Sequence, residues 1–430
     1  RFSIMYQVPK GTSDILPDQQ FLWNFIKDTA KNSSTTFGFE EIETPTFEET
    51  ELFERGVGSD SDIVQKEMYS FTDSSEKSFT LKPEGTAAVC RAFIQNGMNN
   101  LPKPIRLFYI SSMFRHERPQ SGRLRQHHQF GAEIFGDESP EIDTELIELG
   151  LHYLNSLGLK KLKIKINSIG DKNTRIKLSE DLKKFFEPYK SKMNNIDKKR
   201  LETNPIRLLD SKDANLISIT KNCPRSIDYL DKESQSHWES VLENIQNLTK
   251  IYNKFEIEID HKLVRCLDYY NRTVFEIHPY EDRSQSSILS GGRYDGLINL
   301  LGGPDVPGVG FGSGIERIII NINNQKINIP SQKNGPKLMI ITLGDQQTTD
   351  ISRKIATSLR KNNISVVLAP KNRSIKGQMR YANSCNARFI LVIGEKELEK
   401  KSGSIKNLSD SSEIIVDLTP EKILEILKEK

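Results

Sequence analysis

The sequence predicts an α+β body broken by a helical insertion, followed by a small α/β domain. Short apolar strands mix with an amphipathic helix up to about Leu159, and a Lys/Asn/Asp-rich stretch with helical patterning fills roughly 171–254. Strands then resume, and beyond a proline-marked polar link, strands alternate with helices. A chain of 430 residues exceeds one ordinary core, so more than one domain is expected.

In the first part, Gln19 to Ala30 reads as a helix, with Phe21, Leu22, Phe25 and Ile26 on one side. Glu40 to Thr46 and Ile105 to Phe114 read as strands. The polar stretch is patterned as helices around Asp181–Tyr189 and Trp238–Ile251, hence an inserted module. Strands return at Phe255–Ile259, Thr273–Ile277 and Val309–Gly312. The link from Asn321 to Lys337 holds Pro330 and Pro336, which places domains at 1–330 and 331–430. In the second, Leu338–Thr342, Ser365–Leu368 and Phe389–Ile393 read as strands. Ile351–Lys361, Ile375–Ser384 and Glu421–Lys430 read as helices.

Hydrophobic content of 36% with 28% charged residues describes a soluble globular chain. No apolar run approaches the roughly 20 residues needed to cross a bilayer. Arg1 to Lys10 lacks the apolar core of a secretory signal, so a cytoplasmic protein without membrane contact is expected. The chain starts at Arg1 rather than Met, which leaves an upstream extension open. Cys90, Cys223, Cys266 and Cys385 form no CxxC pair, and His127-His128 is the one adjacent histidine pair, so no resident metal site is expected. Net charge is +3, unevenly placed: residues 331–430 hold 18 Lys+Arg against 11 Asp+Glu, a net +7. A polyanionic partner or a merely solvated surface fits that charge equally well.

Four stretches carry chemistry. Phe114-Arg115-His116-Glu117-Arg118-Pro119-Gln120, then Gly122-Arg123 to Glu133, reads as a hairpin with Arg115 at the end of one strand. Gln129 and Glu133, four apart, share one face of the other strand. Arg115 suits a forked grip on phosphate or carboxylate, or else an ordinary surface ion pair. Gly308-Val309-Gly310-Phe311-Gly312-Ser313-Gly314 puts bare positions on one strand face, with Arg317 on the first turn of the helix that follows. A flat nucleotide can press on such a face, and so can a neighbouring backbone. The spacing is not the dinucleotide fingerprint, and the chain has no P-loop.

The third stretch, Leu263 to Glu276, sets Arg265, Asp268, Tyr269 and Tyr270 in an apolar frame. That suits a pocket, and a tyrosine pair equally suits a core. In the fourth, Leu81-Lys82-Pro83-Glu84-Gly85-Thr86, a carboxylate and a hydroxyl stand at a helix start. They are fit for an ammonium group or simply for the helix dipole.

Together, "LKPEGT", "MFRHERPQ…GRLRQHHQFGAEIFG", "LVRCLDYYNRTVFE", "SGGRYDGL" and "GVGFGSGIERI" resemble the histidyl-tRNA synthetase family of class II synthetases, bacterial or organellar type, over nearly the whole chain. The segment with the arginine and paired tyrosines is the part peculiar to histidine enzymes. The resemblance implies an antiparallel sheet flanked by helices, a dimer-forming first motif at residues 38–69 and an anticodon-binding domain at 338–430. It implies ATP-dependent activation of L-histidine to histidyl-adenylate and transfer to tRNA(His), in a homodimer, with magnesium accompanying ATP.

By the same likeness Glu84, Thr86 and Gln129 hold the α-ammonium, and Gly85 and Arg115 also belong to the histidine-binding set. Glu133 and Tyr270 read the imidazole, and Tyr269 helps to wall the pocket. Arg115 meets the α-phosphate, Arg317 the γ-phosphate, and Arg265 lies between the α-phosphate and the substrate carboxylate. Glu117, His127 and Gly312 fall at the ATP site, and Arg118, Gln120 and Arg123 reach the acceptor end of the tRNA. Two departures stand out: Cys266 replaces a usual glycine, and His127 a phenylalanine that commonly stacks on adenine. The rival reading is a non-catalytic relative, the regulatory subunit of ATP phosphoribosyltransferase, which lacks the terminal domain and typically loses catalytic residues.

Overall fold

In the computed structural model, residues 6–58, 61–211, 213–252, 255–265, 267–279, 287–329 and 335–429 are described. Cys266, Pro330 and residues 253–254, at the end of the expected insertion, lie outside them. The chain divides into two compact units, Arg1–Ile329 and Pro330–Lys430.

The first unit is built on an eight-stranded sheet. Its strands in chain order are β1 (Glu40–Glu41), β2 (Ile105–Phe114), β3 (Gln126–Phe135), β4 (Leu162–Ser168), β5 (Phe255–Ile259), β6 (Asn271–Pro279), β7 (Leu289–Arg293) and β8 (Gly308–Gly314). In space they run β1-β2-β3-β8-β7-β6-β4-β5. Every central pairing is antiparallel, but each edge pair, β1 on β2 and β4 with β5, is parallel. The sheet is therefore mixed at its edges rather than antiparallel throughout. The strand expected over Glu40–Thr46 pairs only at Glu40–Glu41, and Phe47–Glu49 joins a separate three-stranded sheet with Tyr69–Thr72 and Ser78–Leu81. The first helix runs Gln20–Thr36, past the expected Ala30, and its outer turns rest on packing that local periodicity does not reveal.

Side chains alternate across a strand, so the sheet has two different faces. Phe108 of β2, Phe130 and Ile134 of β3, and Val309 and Phe311 of β8 pack under three helices. These contribute Trp23 and Ile26 (Gln20–Thr36), Leu146 and Ile147 (Pro140–Ser156), and Trp238 and Val241 (Lys232–Ile251). Each such fully buried large side chain contributes about 1.5–3 kcal/mol. On the other face Leu107, Tyr109 and Phe135 meet Val89 and Phe93 of the helix Thr86–Gln95, with Tyr270 and Tyr294. That face carries Gln129 and Glu133 of β3 and the glycines of β8.

Four helices in the insertion start at an Asp or Asn whose side chain accepts a backbone N–H: Asp171 from Thr174, Asn194 from Asp197, Asp213 from Asn215, and Asp231 from Ser234. Such caps contribute about 1 kcal/mol each, which explains how so polar a stretch holds helices. The insertion has its own small core of Leu178, Leu182, Phe186, Leu201, Leu208 and Leu209, whereas its last helix packs on the main core.

Between these layers lies a buried charged network. Arg293 Nε donates to Asp143 Oδ1 at 2.9 Å, and both residues are wholly inaccessible. Thr273 Oγ1 donates to the other carboxylate oxygen at 2.6 Å, and His237 Nε2 lies 2.7 Å from it.

In the second unit Val366–Leu368, Leu338–Thr342 and Phe389–Ile393 lie parallel, and Ser402–Asn407 and Glu413–Asp417 continue the sheet antiparallel. Two crossover helices, Gln346–Lys361 and Ile375–Ser384, join the parallel strands. No helix among the described residues is long and apolar enough to cross a membrane.

Candidate active site

The floor of the site is set by strand register. β3 lies between β2 and β8, with Glu133 opposite Gly310 and Gln129 opposite Gly314. A Cβ at Gly310 would collide with the Glu133 carboxylate, and one at Gly312 with the Gln129 amide. The alternate glycines thus clear room for polar side chains of the next strand, and of the four, Gly312 and Gly314 face the cavity. Of the two readings of this bare face, close packing by a neighbour accounts for Gly310.

Glu133 is wholly buried. Its Oε1 accepts from Thr86 Oγ1 at 2.9 Å and Tyr109 Oη at 3.3 Å, and its Oε2 from the Tyr294 hydroxyl. Burial pushes its carboxyl up to about 8, with Glu84 adding to the rise and the three hydroxyls opposing it. Near neutral pH burial therefore favours the protonated form of this group. Gln129 Nε2 donates to Tyr109 Oη at 3.3 Å, so one phenol braces both residues.

Glu84 sits before the helix Thr86–Gln95, and its two oxygens accept from the backbone N–H groups of Thr86 at 2.7 Å and Ala87 at 2.9 Å. Both readings of this position hold in part: it sits at the helix start, where the dipole favours a carboxylate and backbone N–H groups bond it, and it also faces the cavity. Burial raises its carboxyl above the ordinary value despite those bonds. Gly85 lies behind it, against the Tyr109 ring.

Five arginines line this cavity of about 1130 Å³, and three of them, Arg115, Arg265 and Arg317, come from separate elements. Arg115, just after β2, donates through Nε to the Pro83 carbonyl at 2.8 Å. Arg317, in the first turn of the helix Ile315–Asn324, is anchored by the carbonyls of Gly122 at 3.0 Å and Ser287 at 2.8 Å. Arg265 reaches Glu276 Oε1 at 2.6 Å and lies 5.8 Å from the Tyr270 ring centre. Burial pushes the Glu276 carboxyl up, but His278, 2.8 Å away, and Arg265 more than offset it and hold it below the ordinary value.

His127 lines the same cavity. Burial, with Arg115 and Arg317 beside it, lowers its pKa to about 3, so the imidazole is neutral at any physiological pH. Its neighbour His128 turns instead to Glu316, with Nδ1 at 2.8 Å from the carboxylate.

Tyr269 and Tyr270 close one side, with ring centres 4.7 Å apart, and Tyr269 stands 5.6 Å from Tyr294. Glu117 faces the cavity and pairs with Arg123 at 3.4 Å. Arg118 and Gln120 are exposed on the connecting loop, away from the cavity wall. Sequence reasoning gave no role to Tyr109 or Tyr294. The second lies within the quoted "SGGRYDGL", but its contact with Glu133 spans 161 residues and no local pattern announces it. Among the described residues no group of three His, Cys, Asp or Glu side chains is placed to hold a metal.

Residues 11–318 match the family model described as histidyl-tRNA synthetase, and residues 337–430 the one described as anticodon binding domain. The chain is 41% identical over 424 residues to a histidine–tRNA ligase of Caldicellulosiruptor bescii, covering 99% of each. It is 41% identical to that of Caldanaerobacter subterraneus, covering 96% of this chain and 98% of the relative. Among solved structures, the apo histidyl-tRNA synthetase of S. aureus superposes with a TM-score of 0.82 at 36% identity, covering 99% of this chain and 100% of that one.

Proposed function

The chain belongs to the histidyl-tRNA synthetase family, and from that premise we infer that it activates L-histidine with ATP and transfers the histidyl group to tRNA(His). One observation carries the assignment of residues: three arginines from separate elements, the Glu84 carboxyl and a tyrosine wall line one cavity, and Glu133 is buried directly behind the lining residue Thr86. Glu133, with Tyr270, pairs the two imidazole nitrogens, and a site built on such buried polar groups rejects side chains that cannot pair them. Glu84, Thr86 and Gln129, beside Gly85, receive the α-ammonium. Tyr109 and Tyr294, through their bonds to Glu133, keep its carboxyl aimed.

ATP enters with magnesium as part of the substrate. Arg115 takes the α-phosphate, Arg317 the γ-phosphate, and the neutral His127 ring stacks on adenine, with Glu117 and Gly312 beside it. A histidine carboxylate oxygen attacks the α-phosphorus in line and pyrophosphate leaves. Arg265, between the carboxylate and the α-phosphate, absorbs the charge that develops. The terminal ribose hydroxyl of the tRNA then attacks the adenylate carbonyl and AMP leaves. Arg118, Gln120 and Arg123, on and beside the exposed loop, suit phosphate and base-edge contacts at the acceptor end.

We assign residues 1–330 to catalysis and 331–430 to the anticodon, whose unstacked bases suit recognition by a small domain of net charge +7. Phe47 and Phe71, exposed on the small sheet beside Phe79, supply an apolar patch for a homodimer. A cytoplasmic location, away from membranes, follows from this reading. The regulatory-subunit alternative is less supported, because full-length relatives named as ligases match both units.

Histidine-dependent ATP–pyrophosphate exchange by the purified chain tests the activation step. Its absence, with folding intact, would overturn the assignment. Removing residues 331–430 should spare exchange and abolish charging, and an unchanged salt slope of tRNA binding would refute the anticodon role.

A further inference from the structure

The segment 261–270 carries Arg265, Tyr269 and Tyr270, yet its described residues belong to no strand or helix. A backbone outside regular structure still needs partners for its polar groups. Here the insertion supplies several. The carbonyls of Asp268 and Tyr270 both accept from Arg175 Nη1, on the helix Lys172–Phe186, at 2.8 and 3.0 Å. The Asp268 carboxylate accepts from Arg207 Nη2 at 3.0 Å and Asn204 Nδ2 at 3.2 Å. On its other side the Asp268 amide donates to the Val57 carbonyl at 3.4 Å, and Gly58 faces the carboxylate. A Cβ at Gly58, whose φ is +96°, would stand 2.5 Å from Asp268 Oδ2, so only glycine lets the chain pass there.

We infer that Arg175, Asn204 and Arg207 form a polar clamp from the insertion that positions the Arg265–Tyr270 segment for histidine. They are positioning residues, since the groups meeting substrate in the proposed reading are Arg265, Tyr269 and Tyr270. Two features mark the clamp as specific. The insertion does not need Asp268 to fold, because it has its own apolar core and joins the sheet elsewhere, through Ser226 to the Ser168 carbonyl at 2.6 Å. Arg175 and Arg207 also converge on one residue, the first on the Asp268 carbonyl at 2.8 Å and the second on its carboxylate at 3.0 Å. The insertion thus acts on the amino-acid half of the site and leaves Arg115, Arg317 and His127 to other elements.

This inference rests on the proposed function, and the test separates the two. Exchange kinetics are measured for the full chain and for Arg207→Ala, Arg207→Lys and Asp268→Asn, with the active fraction titrated and thermal stability recorded. Each charge-assisted hydrogen bond lost should raise the histidine KM by roughly tenfold or more and lower kcat, with the ATP KM moving less than about twofold. Arg207→Lys should recover part of the loss. Arg207→Ala combined with Asp268→Asn should cost less than the sum of the two single variants, because they break one contact. Asp268→Asn keeps the shape and decides the question if the arginine variant does not fold. An unchanged histidine KM in a folded variant, or an equal rise for ATP, overturns the clamp alone. A wild-type chain without histidine-dependent exchange overturns the functional reading and the clamp with it.

Discussion

Glu133 and Gln129 sit on a strand bonded on both sides, whereas Arg265, Tyr269 and Tyr270 sit on a segment held by side chains from another module. A shift of one residue in β3 would turn both polar groups into the apolar face, against helices that bury Trp23 and Trp238. Sheet register therefore fixes the first pair as firmly as the core itself. The second group has no such guarantee, and its geometry depends on a few charged contacts. In the proposed reading, one site thus combines a rigid reader of the imidazole with an adjustable set of groups around the reacting carboxylate.

The largest expected effect tests the adjustable half. Arg265→Ala should lower pyrophosphate exchange by about 10²–10³-fold with the fold intact, the range for a charge aimed at developing phosphoryl charge. Activity within roughly threefold of wild type would place that charge elsewhere. On the rigid half, Glu133→Gln should raise the histidine KM by roughly ten- to a hundredfold and barely move that for ATP. An equal loss for both substrates would mean that Glu133 supports the strand rather than reading the ring.

The smallest effect concerns stability without substrate. The Glu133 carboxyl titrates near 8 in the folded chain against 4.5 ordinarily, so folding favours its protonated form. That stability is fully present below pH 4.5 and is lost as pH rises through about 8. The melting temperature of the wild type should fall over this window more than that of Glu133→Gln, and parallel curves would show that the carboxyl is already ionised in the empty pocket.

Strands Ile105–Phe114, Phe255–Ile259, Leu338–Thr342 and Phe389–Ile393 were readable in the sequence because each concentrates apolar or alternating residues between breaks. Ser402–Asn407 and Glu413–Asp417 were not, since an edge pair that buries Gly403, Ile405 and Asn407 offers little periodic signal. Within the site, Arg115, Gln129, Glu133 and Arg317 stood out through local spacing and motif. Tyr109, Tyr294 and the clamp residues Arg175 and Arg207 did not, because their partners lie 24, 161, 93 and 61 residues away and only the folded chain brings them together.

The pair Asp143 and Arg293 carries a consequence for how this lineage can drift. Each is sealed from water, and losing either one breaks a buried ion pair, leaving Arg293 only Asp295 or Asp143 only His237, a change that typically costs about 3–5 kcal/mol, a large fraction of a typical domain's margin. Replacing both at once with apolar residues of similar volume is often neutral. Single-step change at this place is therefore nearly closed, and a descendant can leave the charged state only by a paired jump that also reconciles Thr273 and His237. Any sequence that has made the jump should carry all four replacements together, and ancestors reconstructed with only one of the two charges should be hard to express in soluble form.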